Sequence, residues 1–329
     1  MKNVTLGIIG TNFVSDWLCD SVKVTDGIEL AAVYSRTAEK GGEFAAKHEI
    51  SRVYTDMEEF LSSDIDAVYI ATPNFLHFPQ AADALRHGKH VLVEKPAALD
   101  EEQFKELEKI AAENKVILLE AMRPAHDPGL ELVRQSMGEI GTIRRAVFDF
   151  CQYSSRYDRY RAGEILNAFN PALGNAALMD IGVYALHVCV SLFGEPESVY
   201  AKSVILPNGF EGMGTAFLSY PGMQAEVVYS KITESALPSV ITGEDGWVTM
   251  GKLSLMESAA VKKRGGEEKI LYADRFIDRQ ENNMIYEAAD FAKAVRGELD
   301  PVPYNKTTRI TLRVMDEIRR QNGIVFPCE

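Results

Sequence analysis

The sequence predicts an α/β protein of two parts, a doubly wound N-terminal domain and a C-terminal α+β domain with a large, mostly antiparallel open sheet. Three observations predict it. Over the first 120 residues, short apolar runs alternate with helix-like segments. A glycine turn, Gly10-Thr11-Asn12, follows the first run. Beyond Arg123 the pattern changes to β-branched and aromatic segments separated by turn dipeptides.

Val4–Ile9 is a short apolar run that ends at Gly10. Residues 30–34, 67–71, 90–94 and 116–119 form the next four runs, with a weaker candidate at Arg52–Tyr54. Their apolarity is continuous rather than alternating, as in strands covered on both faces of a parallel sheet. A helix is expected after the glycine turn, and others over 37–47, 74–87 and 100–113. Asp100 can cap the last of these, with Gln103 completing a capping box. Gly88 suits the end of the helix before it. Strands alternating with helices place a doubly wound domain over residues 1–122.

Residues 123–329 then form the second domain. A loop over 125–129 and a short helix over 130–135 lead to a strand over 142–152. Residues 177–193 are apolar at helical spacing. From 197 to about 256 the chain is rich in Val, Ile, Tyr and Thr, with turns at Asn208-Gly209, Pro221-Gly222 and Asp245-Gly246. That is the pattern of antiparallel strands and hairpins. Helices over 283–296 and 307–320 close the chain. One face of such a sheet rests on helices, and the other is solvated or covered by another subunit.

Composition narrows the function classes. The chain has 329 residues, 46% hydrophobic and 25% charged, which suits two ordinary globular domains. The net charge of −13 argues against nucleic acid as a partner, because phosphate backbones need a clustered basic surface. No apolar stretch is long enough to span a membrane. Cys19, Cys151, Cys189 and Cys328 are scattered, without a zinc or disulfide pattern. No apolar leader with a small-residue cleavage site precedes the glycine turn, so a cytoplasmic, metal-free protein is expected.

Four loops carry the candidate chemistry. The turn Gly10-Thr11-Asn12-Phe13 keeps only the first glycine of the dinucleotide fingerprint. Asn12 tolerates positive φ, and the following helix would aim N–H groups at phosphates. A plain strand–turn–helix reads the same way. After the second strand, Ser35 and Arg36 stand where an acidic residue would select an unmodified ribose. Arg36 can pair with a 2′-phosphate, which favours NADP over NAD; alternatively it is a solvated helix-start residue. Thr72, Asn74 and His77 follow the third strand, at the ligand-binding end of the sheet. His77 is either a cofactor contact or a polar first-turn residue. Glu94-Lys95-Pro96 ends the next strand of the array. An ammonium there can stabilise alkoxide charge during hydride transfer; the bland reading pairs Lys95 with Glu94 at the surface.

In the second domain, Asp180 and Tyr184 are four apart and share a helix face. A carboxylate among Leu178, Met179 and Ile181 needs a partner if buried. Tyr184 also fits plain aromatic packing, and His187 reads as a satisfied core histidine.

The segments GIIGTN, VYSR, YIATPNFLH, HVLVEKP and LMDIGVY together resemble the glucose–fructose oxidoreductase / inositol dehydrogenase (Gfo/Idh/MocA) family. The resemblance covers almost the whole chain, and EKP with a downstream DxGxY is its specific part. It implies an N-terminal Rossmann dinucleotide-binding domain and a C-terminal sheet that makes a homodimer or homotetramer. It maps the family lysine to Lys95 and the family aspartate to Asp180. Many members carry histidine where this chain has Tyr184. That departure resembles the dihydrodiol dehydrogenase and glucose–fructose oxidoreductase branches, where tyrosine is the proton donor. Arg123, in the segment EAMR, is a candidate contact for cofactor or substrate. The polar, aromatic stretch 153–170 is a substrate loop, a solvated loop or a subunit contact.

The resemblance implies NADP-dependent interconversion of a hydroxyl and a carbonyl on a small sugar or diol. One alternative is a glycosidase that oxidises its sugar transiently on a retained dinucleotide. Another is a non-catalytic dinucleotide sensor, which would need neither Lys95, Asp180 nor Tyr184.

Overall fold

The computed structural model describes residues 3–273 and 282–328, which form two compact units. The first contains a six-stranded parallel sheet. Its strands are β1 (Val4–Ile9), β2 (Ile28–Tyr34), β3 (Arg52–Tyr54), β4 (Ala67–Ile70), β5 (His90–Glu94) and β6 (Leu118–Ala121). They lie in the order β3-β2-β1-β4-β5-β6. The order reverses between β1 and β4, which makes the crevice at their carboxyl ends the ligand-binding position of a Rossmann fold. All four residues of β4 are buried, as continuous apolarity requires.

Helices α1 (Phe13–Lys23), α2 (Ala38–His48), α3 (Met57–Leu61), α4 (His77–Arg86) and α5 (Glu101–Asn114) connect these strands. The short α3 spans only five residues, with Met57, Phe60 and Leu61 on one face, too few to announce a helix; Asp56 starts it by accepting from the Glu59 N–H at 2.9 Å. Asp100 caps α5 through the Gln103 N–H at 2.7 Å. The Gln103 amide oxygen reaches back to the Leu99 N–H at 3.1 Å, one residue earlier than a reciprocal box requires.

The second unit opens with α6 (Arg123–His126), whose Arg123 groups with the first unit, and continues with α7 (Pro128–Ser136). An eight-stranded sheet follows: β7 (Ile143–Cys151), β8 (Ser198–Ile205), β9 (Glu211–Tyr220), β10 (Met223–Ser230), β11 (Ser239–Gly243), β12 (Gly246–Met250), β13 (Ala259–Lys263) and β14 (Glu268–Tyr272). The spatial order is β14-β13-β12-β11-β7-β10-β9-β8. Every pair is antiparallel except β7 with β10. Helices α8 (Tyr157–Arg161) and α9 (Val183–Phe193) lie between β7 and β8 in sequence. On β9, Ala216 and Leu218 are buried while Phe217 between them is exposed, the two-residue alternation of a half-buried sheet. Pro221-Gly222 makes the two-residue turn between Tyr220 and Met223, with Gly222 at φ +75°. The next expected turn shifts by one: Gly243 and Gly246 pair across Glu244-Asp245.

Helix α10 (Met284–Val295) corrects the sequence-order assignment of the closing helices. It packs in the first unit, where Met284, Ala288, Phe291 and Ala292 share a core with Leu6, Ile8 and Leu18. Its apolar face meets α1 and β2. The last helix, α11 (Val302–Asn322), groups with the first unit through Lys306 and with the second from Thr307. Among the described residues, no helix is long and apolar enough to cross a membrane, and no group of three His, Cys, Asp or Glu is arranged to hold a metal.

Candidate functional site

The glycine turn is built as a tight strand-to-helix junction. Gly10 has φ +106°, and a Cβ there would come within 2.3 Å of the Ala71 carbonyl oxygen, so only glycine fits. Asn12 does not use the positive-φ tolerance expected of it. Its φ is −101°, and its side chain caps α1 instead. The amide oxygen accepts from the Val14 N–H at 2.8 Å and the Ser15 N–H at 3.3 Å, and its NH2 donates to the Ala71 carbonyl at 2.6 Å. Two N–H groups expected to face phosphates are therefore occupied by the cap. Ser15 is buried and donates to the Gly10 carbonyl at 2.7 Å, closing the helix onto the strand. Phe13 and Trp17 stay exposed beside the turn, edge to face at 5.1 Å. The Arg123 guanidinium lies over the Trp17 ring at 5.9 Å.

At the end of β2, Ser35 is buried and Arg36 is exposed. Among the described residues Arg36 makes no ion pair, with Glu39 or any other carboxylate. Thr37 caps α2 by accepting from the Lys40 N–H at 3.4 Å. An open guanidinium beside a helix start, next to a glycine-only turn, fits a dinucleotide with an extra phosphate.

The loops after β4 and β5 are tied together from below. Thr72 Oγ1 donates to Gln80 at 2.7 Å, and Asn74 opens a 3-10 turn at Asn74–Leu76. His77 is buried, not turned toward ligand space. Its Nδ1 faces the Pro96 carbonyl and its Nε2 the Thr72 carbonyl, both at 2.8 Å. Burial pulls its proton affinity down and the two carbonyls pull it up, with burial the larger effect, and the ring ties the two loops together. Lys95 is half-buried at the end of β5, and its peptide bond to Pro96 is cis. Glu94 is buried. It accepts from the Tyr69 hydroxyl at 2.7 Å and from the Lys95 backbone N–H at 3.2 Å. Burial raises its proton affinity, against the pull of Lys95, Tyr69 and Arg123.

In the second unit the segment before α9 is a π-helical turn, Leu178–Gly182, which carries Asp180. Such turns widen a helix locally and recur at functional sites. Gly182 permits it: a Cβ there would press on the Tyr229 ring at 3.0 Å. The turn is held from behind by Glu211, fully buried on β9. That carboxyl accepts from the Leu178 N–H at 2.8 Å, the Ser203 hydroxyl at 2.8 Å and the Tyr229 hydroxyl at 2.9 Å. Asp180 is 43% exposed and pairs with the Lys231 ammonium at 2.6 Å. Tyr184 is buried with its ring edge on Phe150 at 5.7 Å. His187 is a core residue as expected, bonded to Ser191 at 3.2 Å, with burial lowering its pKa to about 3.

Lys231 escaped sequence reasoning. It is 5% exposed in its side chain, follows β10, and donates to the Ala168 carbonyl at 3.1 Å. Its ammonium also lies over the Phe169 and Phe210 rings at 5.2 and 5.6 Å. Tyr157 and Tyr160 stack on Phe169 at 5.6 and 5.4 Å, so part of the 153–170 stretch is an aromatic wall next to the Asp180 counter-ion. Asp180 needing a partner was the one available signal; which lysine supplies it depends on strand order.

Comparisons with known proteins agree on one family. Residues 4–122 match the model described as "Oxidoreductase family, NAD-binding Rossmann fold", and residues 132–249 match the GFO/IDH/MocA C-terminal domain. The chain is 41% identical to scyllo-inositol 2-dehydrogenase (NADP(+)) IolU of Bacillus subtilis (strain 168), over 99% of each chain. It is 27% identical to trans-1,2-dihydrobenzene-1,2-diol dehydrogenase of Xenopus laevis, over 98% of each. Among solved structures, KijD10, a 3-ketoreductase from Actinomadura kijaniata in complex with NADP, has the same fold. It superposes with a TM-score of 0.84 at 22% identity, covering 98% of each chain.

Proposed function

The chain belongs to the GFO/IDH/MocA oxidoreductase family, and on that premise we propose that it interconverts a hydroxyl and a carbonyl on a small polyol, sugar or diol, with NADP as the preferred cofactor. The B. subtilis relative acts on an inositol and the X. laevis relative on a cyclic diol, which supports a hydroxylated ring as substrate.

Gly10, Thr11, Asn12 and Phe13 would hold the pyrophosphate region, and Ser35 with Arg36 the 2′-phosphate. Thr72, Asn74 and Arg123 border the nicotinamide end. His77 and Glu94 support that end from beneath. The nicotinamide, when bound, supplies the hydride acceptor or donor. In the reducing direction the substrate carbonyl carbon gains a hydride, and Tyr184 gives its phenolic proton to the oxygen. The Lys95 ammonium stabilises the negative charge left behind. Asp180, paired with Lys231, accepts hydrogen bonds from substrate hydroxyls and fixes which one reacts. A homodimer or homotetramer through the outward face of the eight-stranded sheet belongs to the same reading. Tyr200, Val204, Ile205 and Phe217 leave apolar surface exposed there.

The Asp180–Lys231 pair on a π turn, with Tyr184 four residues on, carries this reading. A cofactor-binding sensor has no use for an ionised carboxylate held open to a ligand. The test is a panel of inositols, aldoses and diols, each with NADP and with NAD. At least one cyclic polyol should reduce the cofactor, with kcat/KM roughly tenfold higher for NADP. No turnover with intact NADP binding would support the sensor. Monosaccharide released from glycosides without net cofactor reduction would support the transient-oxidation glycosidase.

A further inference from the structure

One group in the first unit has no role in the mechanism above. Glu287, on α10, is completely buried, and neither carboxyl oxygen has a hydrogen-bond partner. An ionised carboxylate in that condition carries a large desolvation cost, which favours the protonated acid. Its proton affinity is raised well above the ordinary carboxylic range by burial and then by the neighbouring Glu94 charge; Arg123 opposes this and Glu120 adds to it. Glu94 is also buried, at the end of β5, bonded to Tyr69 and next to Lys95. The groups facing this pair from the packed elements are therefore Tyr69, Lys95, Glu120, Arg123 and, through Tyr69, the thiol of Cys19 on α1. Tyr69 and Cys19 are neutral: burial drives both proton affinities up, that of Cys19 to about 12. Met284 and Ala288, which flank Glu287 on α10, share a core with Tyr69, the hydrogen-bond partner of Glu94, and two carboxyls buried in one core cannot both ionise cheaply.

We propose that Glu287 and Glu94 form a buried pair that exchanges one proton with the charge state of the nicotinamide ring. The inference rests on the reading that the nicotinamide end of the cofactor lies at the carboxyl edge of β5. An oxidised ring is cationic and a reduced ring is neutral. A cation near the pair favours its fully ionised form, so binding the oxidised cofactor releases a proton. When the substrate alcohol is oxidised, its C–H bond breaks with the electron pair leaving as hydride, its O–H proton is lost, and the ring charge disappears. The pair then takes up one proton, so the proton the reaction produces is balanced within the protein. Glu287 is a positioning residue here, acting through Glu94.

The test compares proton release on binding NADP+ and NADPH to the apoprotein, by titration calorimetry in buffers of different ionisation heat. The 2′-phosphate contributes to both, so the difference isolates the ring charge. At neutral pH the wild type should release more protons with NADP+ than with NADPH. Glu287→Gln and Glu287→Leu should abolish that difference. Infrared spectra of the apoprotein should show the carbonyl stretch of a buried neutral acid, missing in Glu287→Gln. No wild-type difference, a difference surviving in both Glu287 variants, or no acid band would each overturn the pair. Full activity in Lys95→Ala would instead overturn the catalytic reading and leave the proton count standing.

Discussion

Asp180 and His187 lie seven residues apart and solve opposite electrostatic problems. Asp180 is paired with the Lys231 ammonium at 2.6 Å and stays 43% exposed. His187 gives up its charge because burial penalises the protonated ring, and the nearby His126 adds to that cost. The consequence for pH is definite. The folded pKa of His187 is depressed to about 3, below the unfolded value of 6.5. Its contribution to stability is therefore present above pH 6.5 and is lost as pH falls toward 3. The loss approaches 1.4 kcal/mol per pH unit at its steepest, to order of magnitude. His187→Asn keeps a hydrogen-bonding side chain and removes the titration. Chemical denaturation across that range should show the wild type losing stability faster than the variant. Parallel curves would refute the buried neutral histidine. At this scale the sequence revealed residue types but not partners. It marked Asp180 as needing a partner if buried and His187 as core. It was silent on Lys231 and Glu287, because the contacts that define them join segments far apart in the chain.

Among elements, the π turn matters most. A sequence window shows only apolar residues at helical spacing from 177 to 193. The widening at Leu178–Gly182 comes from Glu211 on β9 and the Tyr229 ring on β10, neither of which is local. Lys231, just past β10, then sets the direction of Asp180. Lys231→Met should leave a partly exposed Asp180 without its ammonium. KM for the polyol should rise by about tenfold or more, while the Kd for NADP, bound by the other unit, stays within error. Lys231→Arg should recover part of the loss. A rise in cofactor Kd equal to the rise in KM would show that the pair only supports folding. The glycine turn teaches a related lesson. Gly10 was legible because positive φ and contact with Ala71 admit nothing larger. The role of Asn12 was not, because a helix cap and a φ-tolerant turn residue are drawn from the same amino acids. The strands β1, β2, β4, β5 and β6 were legible within a few residues, since burial on both faces writes itself as unbroken apolarity. The edge strand β3 and the five-residue α3 lack that signature.

At the scale of the whole molecule, the chain leaves the first unit after Arg123 and returns to it with α10. Hydrophobic periodicity identifies α10 as a helix with one apolar face, but it cannot say which core receives that face. Chain order suggested the second domain; Phe291 and Ala292 pack instead with Leu6 and Leu18. The return also brings Glu287 to Glu94. The unit that binds the dinucleotide is thus completed by residues from the far end of the sequence. Lys95 belongs to that unit, and Asp180 and Tyr184 to the other. Under the proposed function, lysine and tyrosine act as one catalytic set despite that division. A double-mutant cycle on kcat/KM tests it most directly, with Lys95→Ala, Tyr184→Phe and the double variant assayed on the same polyol under saturating NADP. Each single change should cut kcat/KM by about a hundredfold or more, and the double variant should be hardly worse than the weaker single. Losses that multiply, or wild-type activity in either single variant, would contradict it.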